Sequence, residues 1–150
     1  MEKQKELKNL IEEILKHINA QATVIVEEDP EKISIVTIDG NDLSYLIGYR
    51  GESLDGLQTI VNLALYRKFG PETKAVVDIN GYRKQRQEKV EQIAKSFIDR
   101  VRFLGKEVAM PPMNPFERKT VHTFVGTYDD ITSESAGEGP YRHVVLKPKK

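Results

Sequence analysis

The chain has 150 residues, 39% of them hydrophobic, and no cysteine, so it can hold one ordinary domain or two small ones and uses neither disulfides nor thiol chemistry. No apolar run approaches the roughly 18 residues needed to span a bilayer. The charged start Met1-Glu2-Lys3-Gln4-Lys5-Glu6 is unlike a secretory signal, and His17, His122 and His143 are too scattered for a metal centre, so a cytoplasmic protein without membrane insertion, metal or cofactor is expected.

In chain order, Leu7, Leu10, Ile11, Ile14, Leu15 and Ile18 have the spacing of a helix with one buried face, over about residues 3–18. Ala22 to Glu28 and Ile33 to Asp39 are β-branched runs around Asp29-Pro30-Glu31, which predicts a hairpin. A short helix near Asp42 to Ile47, the turn Gly48-Tyr49-Arg50-Gly51 and a long helix follow, the last with Leu54, Leu57, Ile60, Val61, Ala64, Leu65 and Tyr66 largely on one side. Gly70-Pro71 stops it, and Lys74 to Asn80 predicts a strand. Gly56, inside that helix, costs about 1 kcal/mol relative to alanine, for which close packing is the expected reason.

The second half opens with a helix from about Tyr82 to Leu104, carried by Val90, Ile93, Ala94, Phe97, Ile98, Val101 and Leu104 and ended by Gly105. Lys106 to Met110 is a candidate strand before Pro111 and Pro112. Asn114-Pro115-Phe116-Glu117 has the pattern of a helix start, with an Asn cap, proline at the first position and a Glu able to return a hydrogen bond to the cap. That helix should run to Val125. Strands are predicted at Tyr128 to Ser135 and Tyr141 to Leu146, then a basic tail from Lys147 to Lys150. The expected fold is α+β, with residues 1–80 as one unit and 81–150 as a second unit carrying a three-stranded sheet.

Charge divides along the same line. Residues 1–80 carry 9 Lys+Arg against 14 Asp+Glu, and residues 81–150 carry 14 against 9. A basic half can hold phosphates while an acidic half suppresses indiscriminate binding, although two solvated surfaces of unlike composition would give the same counts.

The order helix, strand, strand, helix, helix, strand, with a bare basic turn between the consecutive helices, is that of a type II KH domain. Such a Gly-x-x-Gly turn clamps about four nucleotides of single strand by their backbone. Gly48 and Gly51 would allow close approach, and Tyr49 and Arg50 would touch base and backbone. Arg118 and His122 lie four apart on one helix face and can grip one anion together; the same spacing suits a histidine packed on the sheet beside a solvated arginine. Arg83, Lys84 and Arg86 open the long second helix as a candidate strand-leading cluster or a solvated face. Gly137-Glu138-Gly139-Pro140 with Tyr141 and Arg142 is either a phosphate-facing loop or a plain hairpin connection. An imidazolium in contact with phosphate would make affinity rise as pH falls from about 8 to 6. Neither a nucleophile motif nor a P-loop is present, and a non-enzyme is expected.

These segments together resemble the bacterial Jag (SpoIIIJ-associated, KhpB or EloR) family, in which a type II KH domain precedes an R-three-H domain named for its Arg-x-x-x-His motif. The likeness covers about residues 22–147 and rests on four motifs: Leu46 to Asp55, Asp78 to Arg83, Met113 to His122, and Ser135 to Val145. It implies RNA binding through the KH turn and the Arg118/His122 face, a link to cell elongation and division, and pairing with a small single-KH protein or with a second copy. Single-stranded DNA is an alternative ligand, and a protein-interaction scaffold dimerising through the KH unit an alternative role. The extra N-terminal Jag domain of many members has no counterpart in this sequence, and the turn's variable pair, often doubly basic, is here Tyr49-Arg50.

Overall fold

A computed structural model describes residues 2–149; Met1 and Lys150, the two ends of the segments discussed above, lie outside them. The chain divides into two compact units, Met1–Arg83 and Lys84–Lys150.

The first unit contains α1 (Glu2–His17), β1 (Thr23–Glu28), β2 (Ser34–Asp39), α2 (Ser44–Ile47), a single 3-10 turn at Tyr49–Gly51, α3 (Glu52–Phe69) and β3 (Ala75–Ile79), in the type II KH order. The sheet order is β1-β2-β3, with β1 antiparallel and β3 parallel to β2. A parallel pair needs a crossover, and α2 and α3 supply it. Leu7, Ile11 and Leu15 of α1 and Leu54, Leu57, Val61 and Leu65 of α3 bury one stripe each against Val24, Val36, Ile38, Val77 and Ile79. Each such side chain contributes about 1.5–3 kcal/mol by leaving water.

Only part of the predicted apolar set is inside. Ile60 and Tyr66 of α3 are 57% and 56% exposed, because the stripe facing the sheet is only as wide as the Leu54, Leu57, Val61, Leu65 row; Leu63, outside the predicted set, is 60% exposed. Gly56 is exposed too, and nothing lies within 4 Å of where its Cβ would stand. Close packing within the chain is therefore not its reason.

β3 is the outer strand of its sheet, yet its outward polar groups are covered. Asn62 of α3 accepts from Ala75 N and donates to Ala75 O, Gln58 accepts from Val77 N, and Arg83 Nε donates to Val77 O. Arg83 also donates to Gln58 Oε1 at 3.0 Å and pairs with Asp55 at 3.3 Å, which is why the unit ends there rather than at residue 80.

The second unit contains most of α4 (Tyr82–Leu104), β4 (Val108–Ala109), α5 (Pro115–Val125), β5 (Ile131–Ala136) and β6 (His143–Pro148), with sheet order β4-β6-β5 and both pairs antiparallel. Val90, Ala94, Ile98 and Val101 of α4 and Val121 and Val125 of α5 pack on Ile131, Val144 and Leu146. Leu104, predicted to share that face, is exposed at the end of α4.

β4 is two residues long where five were predicted, hemmed between Gly105 at φ 66° and the prolines, which have no N–H for a ladder. β5 starts at Ile131 rather than Tyr128, because Thr127 N and Tyr128 N donate back to Phe124 O and Val125 O and prolong the end of α5. Asn114 caps α5 as predicted, accepting from Glu117 N at 2.8 Å. The reciprocal bond from the Glu117 side chain is replaced: its Oε1 accepts from Arg86 Nε at 2.8 Å, and the side chain is 1% exposed.

Candidate nucleic-acid interface

In the first unit the chain leaves α2 through Gly48 at φ 73°, passes Arg50 at φ 52° and enters α3 from Gly51 at φ 81°. Three positive φ angles in four residues make a tight loop that only glycine accepts without strain at two of the three. Space demands the same. A Cβ on Gly48 would collide with Ser53, and one on Gly51 would stand 2.9 Å from the Tyr82 ring. The glycines are thus required by the protein's own packing, before any ligand approaches.

The loop delivers Tyr49 to solvent, 69% exposed, with the Arg50 guanidinium 5.0 Å from its ring centroid. This is a cation and a flat face at the N-terminus of an 18-residue helix, where backbone N–H groups and the helix dipole favour anions. Of the predicted cations beyond the turn, Arg83 is tied to the β3 edge and Arg86 to Glu117, so both guanidiniums have partners inside the protein; Lys84 is exposed.

In the second unit Arg118 and His122 stand on one face of α5, as their spacing predicts. Arg118 Nη1 donates to Met113 O at 2.7 Å, and Arg142, on the turn before β6, donates Nη1 to Gly137 O at 2.8 Å. Each guanidinium has other N–H groups, and neither arginine is in an ion pair among the described residues.

His122 is not turned to solvent as an imidazolium. Its Nδ1 lies 2.7 Å from Ser133 Oγ and its Nε2 2.9 Å from Ser135 Oγ. Burial, then the charges of Arg118 and Arg142, hold its pKa below the ordinary histidine value of 6.5. The ring of the free chain is therefore neutral over most of the pH range in which a contact with phosphate was expected to charge it.

Sequence comparison places this geometry. A family model described as "KhpA/KhpB, KH domain" matches residues 8–79, and the R-three-H domain model matches residues 88–148. A protein of Bacillus subtilis named RNA-binding protein KhpB is 33% identical over 142 residues, 93% of this chain and 68% of its own length. The chain belongs to the KhpB family. A KhpB of Clostridium symbiosum is 32% identical over 93% of this chain, and one of Streptococcus pneumoniae 29% identical over 91%. The chain spans 64% and 41% of the lengths of those two.

The structure adds Ser133 and Ser135 beside His122 and Tyr82 beside Gly51, which sequence reading had not marked as site residues, and it pairs Glu117, read as a capping glutamate, with Arg86. The serines carried a usable signal. Ile131, Ser133 and Ser135 alternate on one face of β5, so two hydroxyls had to lie beside a buried isoleucine. Among the described residues no helix is long and apolar enough to cross a membrane, and no group of three or more His, Asp or Glu is placed to hold a metal ion.

Proposed function

We propose that this chain is a cytoplasmic, non-catalytic binder of single-stranded RNA, a post-transcriptional regulator linked to cell elongation and division. In this reading the Gly48-Tyr49-Arg50-Gly51 turn clamps the backbone of about four unpaired nucleotides, and the face bearing Arg118, His122 and Arg142 holds a second stretch of strand.

The observation that carries the reading is the exposed Tyr49 ring, with the half-buried Arg50 guanidinium beside it, on a turn pre-formed by its own glycines at the head of α3. The relatives' name, RNA-binding protein, points the same way. Titration of a fluorescent unpaired oligoribonucleotide tests it, with duplex RNA and single-stranded DNA of the same sequence as competitors. The single-stranded RNA should bind most tightly, and Tyr49→Asp with Arg50→Asp should lower affinity at least about tenfold while leaving the melting temperature near wild type. Wild-type binding by that double variant would remove the turn from the interface, and equal binding of DNA would widen the ligand class.

A second reading is favoured by the exposed row Gly56, Ile60 and Leu63, which places a glycine and two large apolar side chains on one face of α3. It would pair two copies of the chain through their KH units. Sedimentation should then give a dimer that Leu63→Lys converts to a monomer with RNA affinity per site retained; a wild-type monomer at tens of micromolar would exclude it.

A further inference from the structure

Both ring nitrogens of His122 are occupied, so the ring has no polar edge left for a strand. A neutral imidazole has one N–H and one lone pair. One serine hydroxyl therefore accepts from the ring and keeps its proton for another partner, while the other donates to the ring and offers lone pairs. Ser133 and Ser135 are half-buried, two residues apart on one face of β5, and opposite them on β6 are Leu146 and Val144, which are apolar and buried. No further hydrogen bond of either hydroxyl is seen among the described residues.

We infer that Ser133 and Ser135 are the groups of the second unit that contact phosphate oxygens, and that His122 is a positioning residue which holds both hydroxyls and sets which of them can donate. The inference rests on the reading of this chain as a strand binder.

It has a chemical consequence. When the ring takes a proton both nitrogens donate, both serines must accept, and both hydroxyl protons are released towards the ligand. Phosphodiester oxygens only accept, so a bound strand favours the imidazolium and binding takes up a proton. The cations around the ring are Arg118 on its own helix and Arg142 ahead of β6. Glu134 and Lys147 lie on the other face of the sheet, paired with each other, and His143 directs Nδ1 to the Tyr141 carbonyl at 3.0 Å. Among the described residues no carboxylate therefore supplies the counter-charge that the imidazolium lacks, and a phosphate can.

The test is titration of an unpaired oligoribonucleotide into the full chain between pH 8 and 5.5. Wild-type affinity should rise on acidification and level off below the pKa of the free ring. Replacing both serines (Ser133→Ala with Ser135→Ala) should weaken binding about tenfold or more at pH 6, the scale of one or two hydrogen bonds to a charged group, and should abolish the rise. Ser135→Thr in a Ser133→Ala chain keeps one hydroxyl and should restore part of both. His122→Gln offers one donor and one acceptor but cannot titrate, so it should bind like wild type at pH 8 and lack the acid rise. Wild-type affinity and pH profile in the double serine variant would overturn the inference. If the wild-type chain binds no RNA, the proposed function falls instead. A dinucleoside monophosphate, observed through the His122 ring-nitrogen resonances, then decides the inference: a shift in wild type that is lost in the double serine variant upholds it, and no shift in wild type overturns it.

Discussion

A single methyl group at Gly51 would meet the Tyr82 ring at 2.9 Å in a backbone already at φ 81°, whereas at Gly56 it would meet nothing. The two substitutions should have opposite signs. Gly51→Ala should lower unfolding free energy by about 1–3 kcal/mol, and with Tyr82→Ala the pair should cost less than the sum of the two alone, because the clash is shared. Gly56→Ala should raise it by about 0.5–1 kcal/mol, the helix-propensity difference. Urea denaturation of the four chains checks both. His122 adds a pH signature. Its folded-state pKa lies below 6.5, so below neutrality the unfolded chain binds more protons. The stability it supplies is fully present above the unfolded value and is lost as pH falls from about 6.5 through the lowered folded value; His122→Gln should flatten that part of the stability profile.

The periodic elements were legible because side-chain period and burial are local facts: α4 matches its predicted limits and the others shift by few residues. What could not be read was which polar groups meet across the fold. Arg86 and Glu117 are 31 residues apart, and each had a sensible local role, a solvated cation and a capping glutamate. Tertiary packing overrode both by placing them 2.8 Å apart with Glu117 buried. Arg86→Ala would leave that carboxylate without its guanidinium. It should cost about 3 kcal/mol, at the lower end for a broken buried pair because Arg86 is partly reached by water, and replacing both residues with apolar ones should cost less than either alone. Thermal unfolding of the single and double variants measures this. His122 is a similar case. The i, i+4 spacing with Arg118 was visible, but the serines that engage its ring come from a strand whose start was misplaced by the prolonged turn after α5.

For the whole chain, the opposed charges of its halves bear on salt dependence. Residues 81–150 carry 14 Lys+Arg against 9 Asp+Glu, but Arg83 and Arg86 are held by internal partners, so fewer cations are left for phosphates than the count suggests. Affinity for unpaired RNA should therefore fall only gently with salt, and Arg118→Ala should reduce the slope of log K against log salt by about one contact's worth, roughly 0.7 for a single strand, uniformly across sequences. Titrations from 50 to 300 mM salt read that slope; no change would leave Arg118 outside the contact. Each of the two compact units holds its own set of apolar faces.

The side chains that cover the outer edge of β3 have a consequence for how the chain emerges during synthesis. Gln58 and Asn62 precede the strand they cap, so α3 leaves the ribosome before Ala75 and Val77 and can receive their backbone groups as soon as these appear. The β3 edge of a newly made first unit is thus covered as soon as it forms, and is not offered to neighbouring chains on a crowded message. Removing the two amides should leave a folded protein that sticks to copies of itself while it is being made.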